Sequence, residues 1–231
     1  MQAIRIIIAT AKAFYEEMLF FFVTGAILFV ATVLIIPMPF ALVGVWMVAH
    51  RSVRGLGVNW NLYWQAIKEY GVRSLWLTLI LVLGYVLLAS NVWFYLTPEV
   101  SPLPGNVITW IVPILVIVGL MWSGITFYAH AFLIELEEPK LGTILRNGFS
   151  ITIVSPLTTL ILLIVTLLLT ALCVIVPILL LALPGFIATL SITAVRTLIA
   201  ALREKYDSKK EESDLADLAE QADDEQPTTK D

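Results

Sequence analysis

The sequence predicts an all-α membrane protein with six transmembrane helices, both termini in the cytoplasm and short amphipathic helices at the water interface. Three observations carry this. Charged residues make up only 14% of the 231, against about 25% in a soluble domain, and half of them lie in the last 29 positions, Arg203 to Asp231. Four uncharged runs are long enough, alone or folded back, to cross a bilayer. Six alternating spans also place every Lys and Arg on one side. Residues 1–202 hold too few charges to clothe a water-soluble fold of that size, which excludes a soluble enzyme, a disordered chain and a nucleic-acid binder.

Residues 1–17 carry Ile4, Ile7, Ile8, Ala11, Phe14 and Tyr15 at helical spacing, with Arg5, Lys12 and Glu16 elsewhere around the wheel. This is either an interfacial helix leading into the first span or an early start of that span. It is not a cleavable signal peptide, because the apolar stretch is too long and no A-x-A site follows. Met18 to Ala49 is an uncharged run of 32 residues, interrupted by Pro37-Met38-Pro39. Met18–Ile36 suits a span. Pro39–Ala49 reaches only about 16 Å as a helix. It crosses if it continues through Arg51 and Arg54, whose stems can snorkel to the headgroups. Otherwise it is a half-membrane segment, leaving five full spans. Crossing is preferred, because only then do the basic residues sort to one side.

In the 50–73 loop, Trp60, Tyr63, Trp64 and Ile67 fall at i, i+3, i+4 and i+7, opposite Asn61, Gln65, Lys68 and Glu69. That pattern predicts an amphipathic helix with its aromatics toward the headgroups. Arg51, Arg54, Lys68 and Arg73 ring it. Arg51, Arg54, Trp60, Trp64, Lys68 and Arg73 are therefore the candidate residues, either as a membrane-surface anchor or as a docking site for a cytoplasmic partner.

Ser74–Leu96 is the third span, and Asn106–Ile134, with Pro113 near its start, is the fourth. The 135–148 loop opens with Glu135, Glu137 and Glu138, expected to be solvated or paired with Lys or Arg. Phe149–Val195 contains 47 residues without a charge. As one helix it would measure about 70 Å, so it is expected to fold back near Cys173–Pro177. This gives Phe149–Leu172 and Val174–Val195, with Pro177 in the first turn of the second helix and Pro184-Gly185 kinking it in mid-span. From Arg203 the chain carries five basic and eleven acidic residues and no aromatic after Tyr206. It is expected to be a disordered acidic tail, with transient helix over 211–220. The domain reading is thus an interfacial helix over 1–17, a transmembrane domain over 18–202 and a tail over 203–231.

The inner segments 1–17, 50–73, 135–148 and 196–231 hold all 14 Lys and Arg. The outer turns, 37–38, 97–106 and about 173–176, hold none, and Glu99 is their one charge.

No Asp, Glu, Lys or Arg falls inside a span, where ion- and proton-coupled transporters keep such groups. Asn91 is a candidate for hydrogen bonding between helices. Gly185, Thr189 and Thr193, and the shorter pair Gly119 and Ser123, suit close helix packing. His50 and His130 are read at cytoplasmic span ends, without a third metal ligand. No nucleotide-loop, dinucleotide or hydrolase motif is present. The expectation is therefore no enzyme, no cofactor and no metal.

The stretch Pro37-Met-Pro-Phe-Ala-Leu-Val-Gly-Val-Trp-Met-Val-Ala-His-Arg51 precedes a basic loop with Trp64, Lys68, Tyr70 and Arg73-Ser74-Leu75. Leu145-Arg146-Asn147-Gly148-Phe149 forms a later polar elbow. Over roughly residues 5–205 this resembles the YesL-like integral membrane proteins of bacteria, a family of unknown function. The resemblance implies a multi-pass protein of the bacterial cytoplasmic (inner) membrane. Relatives often accompany carbohydrate-uptake genes, which suggests a non-enzymatic accessory or scaffold protein in carbohydrate uptake. The partners implied are the lipid bilayer and an ABC-type sugar transporter or other membrane subunit, with no nucleic acid. The alternative is a transporter or channel for a small neutral solute, with Ser155, Thr159, Thr166 and Thr170 lining a polar cavity.

Overall fold

The computed structural model describes residues 2–97 and 105–224, with side chains omitted for 105, 106, 209 and 211–224. The outer segment with Glu99 and the last seven residues of the tail lie outside the described residues. Within them the chain is helical throughout, with no strand. The helices are α1 (Gln2–Glu16), α2 (Met18–Val33), α3 (Met38–Val53), α4 (Trp60–Leu96), α5 (Gly105–Glu135), α6 (Leu141–Val154), α7 (Pro156–Ile175) and α8 (Leu183–Asp224), with a 3₁₀ turn at Pro177–Leu181. In hydrocarbon every backbone polar group must be satisfied within its own segment, and a helix does this.

Four helices are long and apolar enough to cross a membrane: Trp60–Leu96, Val107–Glu135, Pro156–Ile175 and Leu183–Ser208. The α1–α2 pair passes the same test only jointly, bent by 87° at Glu17, as a broken span or re-entrant loop. The chain is thus an all-helical membrane protein with four or five candidate spans. At 16 residues each, α2 and α3 reach about 24 Å, short of the roughly 30 Å of hydrocarbon. The turn joining them holds Ile35 at φ 61°, a left-handed conformation that β-branched residues resist.

Residues up to Val195 form one compact unit, and those from Arg196 a second. In the first, α3 packs against α2, α4 and α5. Its small residues Ala41, Gly44, Ala49 and Ser52 let neighbours approach, and most of it is buried. The Gly44 Cα lies against the Tyr63 ring of α4, and Gly71 of α4 lies against Phe40. Ser74 Oγ donates to the Pro39 carbonyl at 2.6 Å. Trp46 Nε1 donates to Ser191 Oγ of α8 at 3.0 Å. Side-chain enclosure follows this order: 56% of the most apolar stretch of α8 is buried, but only 11% of that in α4 or α5. The last two therefore turn most of their apolar surface outward, where lipid would meet it.

Several boundaries differ from the sequence reading. The interfacial segment and the third span are one helix, α4, started by Asn59, whose side chain accepts from the Leu62 N–H at 2.9 Å. The fifth span begins at Pro156 rather than Phe149, because residues up to Val154 belong to α6, which packs on α5. Proline cannot donate to Thr152, so the helix breaks there. Helix α7 runs on to Ile175, Pro177 opens the 3₁₀ turn, and Pro184 lies in the first turn of α8 instead of kinking a span. The apolar positions picked out on α1 mostly face outward: Ile4, Ile8 and Tyr15 are exposed, while Ala3, Ile6 and Thr10 are buried. Helix α1 packs on α3 and α7, and Ser52 Oγ donates to the Ala13 carbonyl at 2.7 Å. The second unit is helical to Asp224, beyond the segment for which the sequence suggests transient helix. Its Ala, Leu, Glu and Lys are all good helix formers.

Candidate functional site

The six candidate residues around the α3–α4 connection do not converge. Helix α3 ends at Val53, with Arg54 as its cap residue and Gly55 turning the chain at φ 65°. Arg51 is half-buried, and its Nε has no partner among the described residues. Arg54 Nη2 lies 3.3 Å from Glu135 Oε2, at the end of α5, and His50 Nδ1 is 2.8 Å from Glu135 Oε1. One carboxylate thus fastens the end of α3 to the end of α5. Among the three acidic residues that open the following loop, Glu138 lies 3.8 Å from Lys140 in full exposure, a pair of little energetic weight.

On α4 the aromatic set divides. Tyr63 is completely buried against α3, while Trp60 and Trp64 remain 41% and 53% exposed on either side of it. The ring centroids lie 6.1 Å apart for Trp60–Tyr63 and 5.4 Å for Tyr63–Trp64, both edge-on, and Trp60 also meets Phe20 at 4.5 Å. The expected placement of Tyr63 among the headgroups is therefore corrected. Gly44, lacking a Cβ, leaves room for the Tyr63 ring, which lies against it. Lys68 and Arg73 are exposed on α4.

A second constellation lies within the apolar part of the bundle. His130 is 6% exposed and sits inside α5, more than a turn before its end. Its Nε2 is 3.3 Å from Thr78 Oγ1 of α4, and its ring lies 5.2 Å from that of Trp46. These groups border a cavity of about 560 Å³ between α3, α4, α5 and α7, with Ile187 of α8 also in its wall. Thr166 and Thr170 line it, but Ser155 and Thr159 do not. Thr159 donates instead to the Ser155 carbonyl and receives the Tyr128 hydroxyl at 3.0 Å. Sequence reading placed His130 at a span end. Its position four residues inside the uncharged run that closes at Ile134 was the available signal, since an ionisable residue at that depth is uncommon.

Asn91 donates to the Leu87 carbonyl of its own helix, so it joins no helices. Thr189 likewise donates to Gly185, and Gly185 lies against Phe21 of α2, which makes that stripe a packing surface. Nothing lies within 4 Å of a Cβ built at Gly119. Among the described residues no three His, Cys, Asp or Glu gather as a metal set. No protein-family model, curated protein or solved structure matches the chain.

Proposed function

We propose that this protein is a non-enzymatic accessory or scaffold subunit of the bacterial cytoplasmic membrane, with six crossings and both termini inside. The YesL-like resemblance suggests an ABC-type sugar transporter as the partner. The observation that carries the docking role is the exposed pair Trp60 and Trp64. Tyr63, clamped between them, holds both on a rigid helix end. Large side chains with few rotamers and a fixed base lose little entropy when a partner covers them, which is why tryptophan recurs at interface centres. Lys68 and Arg73, exposed farther along α4, add positive charge suited to an acidic cytoplasmic loop. Glu135 is shared by Arg54 and His50 at the junction of α3 and α5, where the three side chains fasten one helix end to another.

Affinity purification in mild detergent, followed by partner identification, tests this. A transporter subunit should co-purify with the wild type and be lost from the Trp60→Ala/Trp64→Ala variant. Recovery of the wild-type protein alone would count against docking.

A further inference from the structure

We infer that the cavity between α3, α4, α5, α7 and the start of α8 binds an uncharged amphiphile, a single alkyl chain carrying a hydroxyl-bearing head. This goes beyond the docking role and does not depend on it. The argument starts from where the hydroxyl hydrogens point. Thr126 donates to the Trp122 carbonyl at 2.9 Å, Thr166 to Leu162 at 2.9 Å and Thr170 to Thr166 at 2.8 Å. Ser123 donates to Gly119 at 2.9 Å, and Tyr85 donates to Ser123 at 3.2 Å. Trp46 has already given its N–H to Ser191. With their hydrogens on carbonyls or on Ser123, these hydroxyls present lone pairs to anything that enters. His130 and Thr78 are the exception. Whichever of them donates across their 3.3 Å contact, a neutral histidine and a threonine together hold one further hydrogen, on Thr78 Oγ1 or on His130 Nδ1.

A cavity with several acceptors and a single donor selects its ligand by charge and by hydrogen count. A carboxylate or phosphate would face oxygen lone pairs, with one donor to meet it. An ammonium would need a counter-charge, and no acidic residue lines the cavity. An alcohol or glycerol head brings hydrogens to the acceptors and one oxygen to the His130–Thr78 pair. The rest of the wall, including Leu42, Leu81, Leu120, Phe127, Leu163 and Leu167, is apolar and suits an alkyl chain better than a bare sugar. The volume of about 560 Å³ lies within the range of small-molecule sites.

Photolabelling tests the assignment. The protein in phosphatidylcholine nanodiscs is exposed to a monoacylglycerol with a diazirine in its chain. Labelling should saturate near one per protein, map to α5 and α7, and be suppressed by excess monoacylglycerol. The fatty acid of equal length, and glycerol alone, should compete at least tenfold more weakly. Thr126→Val with Thr166→Val, which keeps volume but removes two acceptors, should weaken competition about tenfold or more. Leu163→Trp should abolish saturable labelling by filling the cavity. Thermal unfolding of each variant confirms that it is folded. Labelling that never saturates, or that survives Leu163→Trp, overturns the site. Equal competition by the fatty acid, or an unchanged valine pair, overturns the head-group class.

Discussion

A Cβ added at Gly25 would collide with the main-chain carbonyl of Leu181, in the 3₁₀ turn packed against α2. Backbone cannot swing aside as a side-chain tip can. Gly25→Ala should therefore destabilise the protein by about 1–3 kcal/mol. Gly119→Ala meets nothing within 4 Å and should gain up to about 1 kcal/mol of helix propensity. Thermal unfolding of the two variants in the same detergent checks both signs. The contrast also shows what the sequence could reveal. Gly119 and Ser123 look like a packing stripe by spacing, and Gly25 has no such pattern around it. Spacing reports which residues share a helix face, whereas the neighbour across that face is set by tertiary contacts. Asn91 was ambiguous for the same reason, because its amide can reach its own helix as easily as another.

At the level of elements, apolar composition located the helices well and their ends less well. Trp60 to Leu96 reads as an amphipathic segment followed by an apolar one, yet nothing between them breaks a helix, since Gly71 alone does not suffice. A 37-residue helix rises about 55 Å, so α4 extends well beyond the hydrocarbon at one end or both. Spin labels at Asn61 and Leu83, both exposed, with Cys173→Ser as background, should give a single narrow distance distribution. Their backbone positions are separated by about 33 Å. A shorter or broad distribution would mean a joint within α4. Ser155-Pro156 shows the opposite case, a break that the proline itself signals. It interrupts an uncharged stretch without changing its hydropathy, and only the missing proline N–H marks the break.

For the molecule as a whole, the scarcity of charge decided the class, and it was fully legible. The number of crossings was not, because α2 and α3 are short and α1 bends sharply into α2. Six crossings predict that a reporter fused after Asp231 is cytoplasmic and that one inserted near Ser101 is external. Fusions in whole cells measure both, and the reverse pattern would invert the topology. The cavity could not be seen in the sequence at all, since its residues come from five helices and are mostly Leu and Thr. The Ser155-Pro156 break carries a mechanical consequence. Beneath it, Gly148 of α6 is seated on the Ile125 backbone of α5, and just above it Tyr128 tethers Thr159. Farther along α7, Thr166 and Thr170 line the cavity, and Leu169 and Leu172 lie beside Phe14 of α1 and Leu179 of the 3₁₀ turn. Because both threonines sit on one helix beyond the break, any change of angle at Ser155 would displace them together, so the width of the chamber is tied to the angle between α6 and α7.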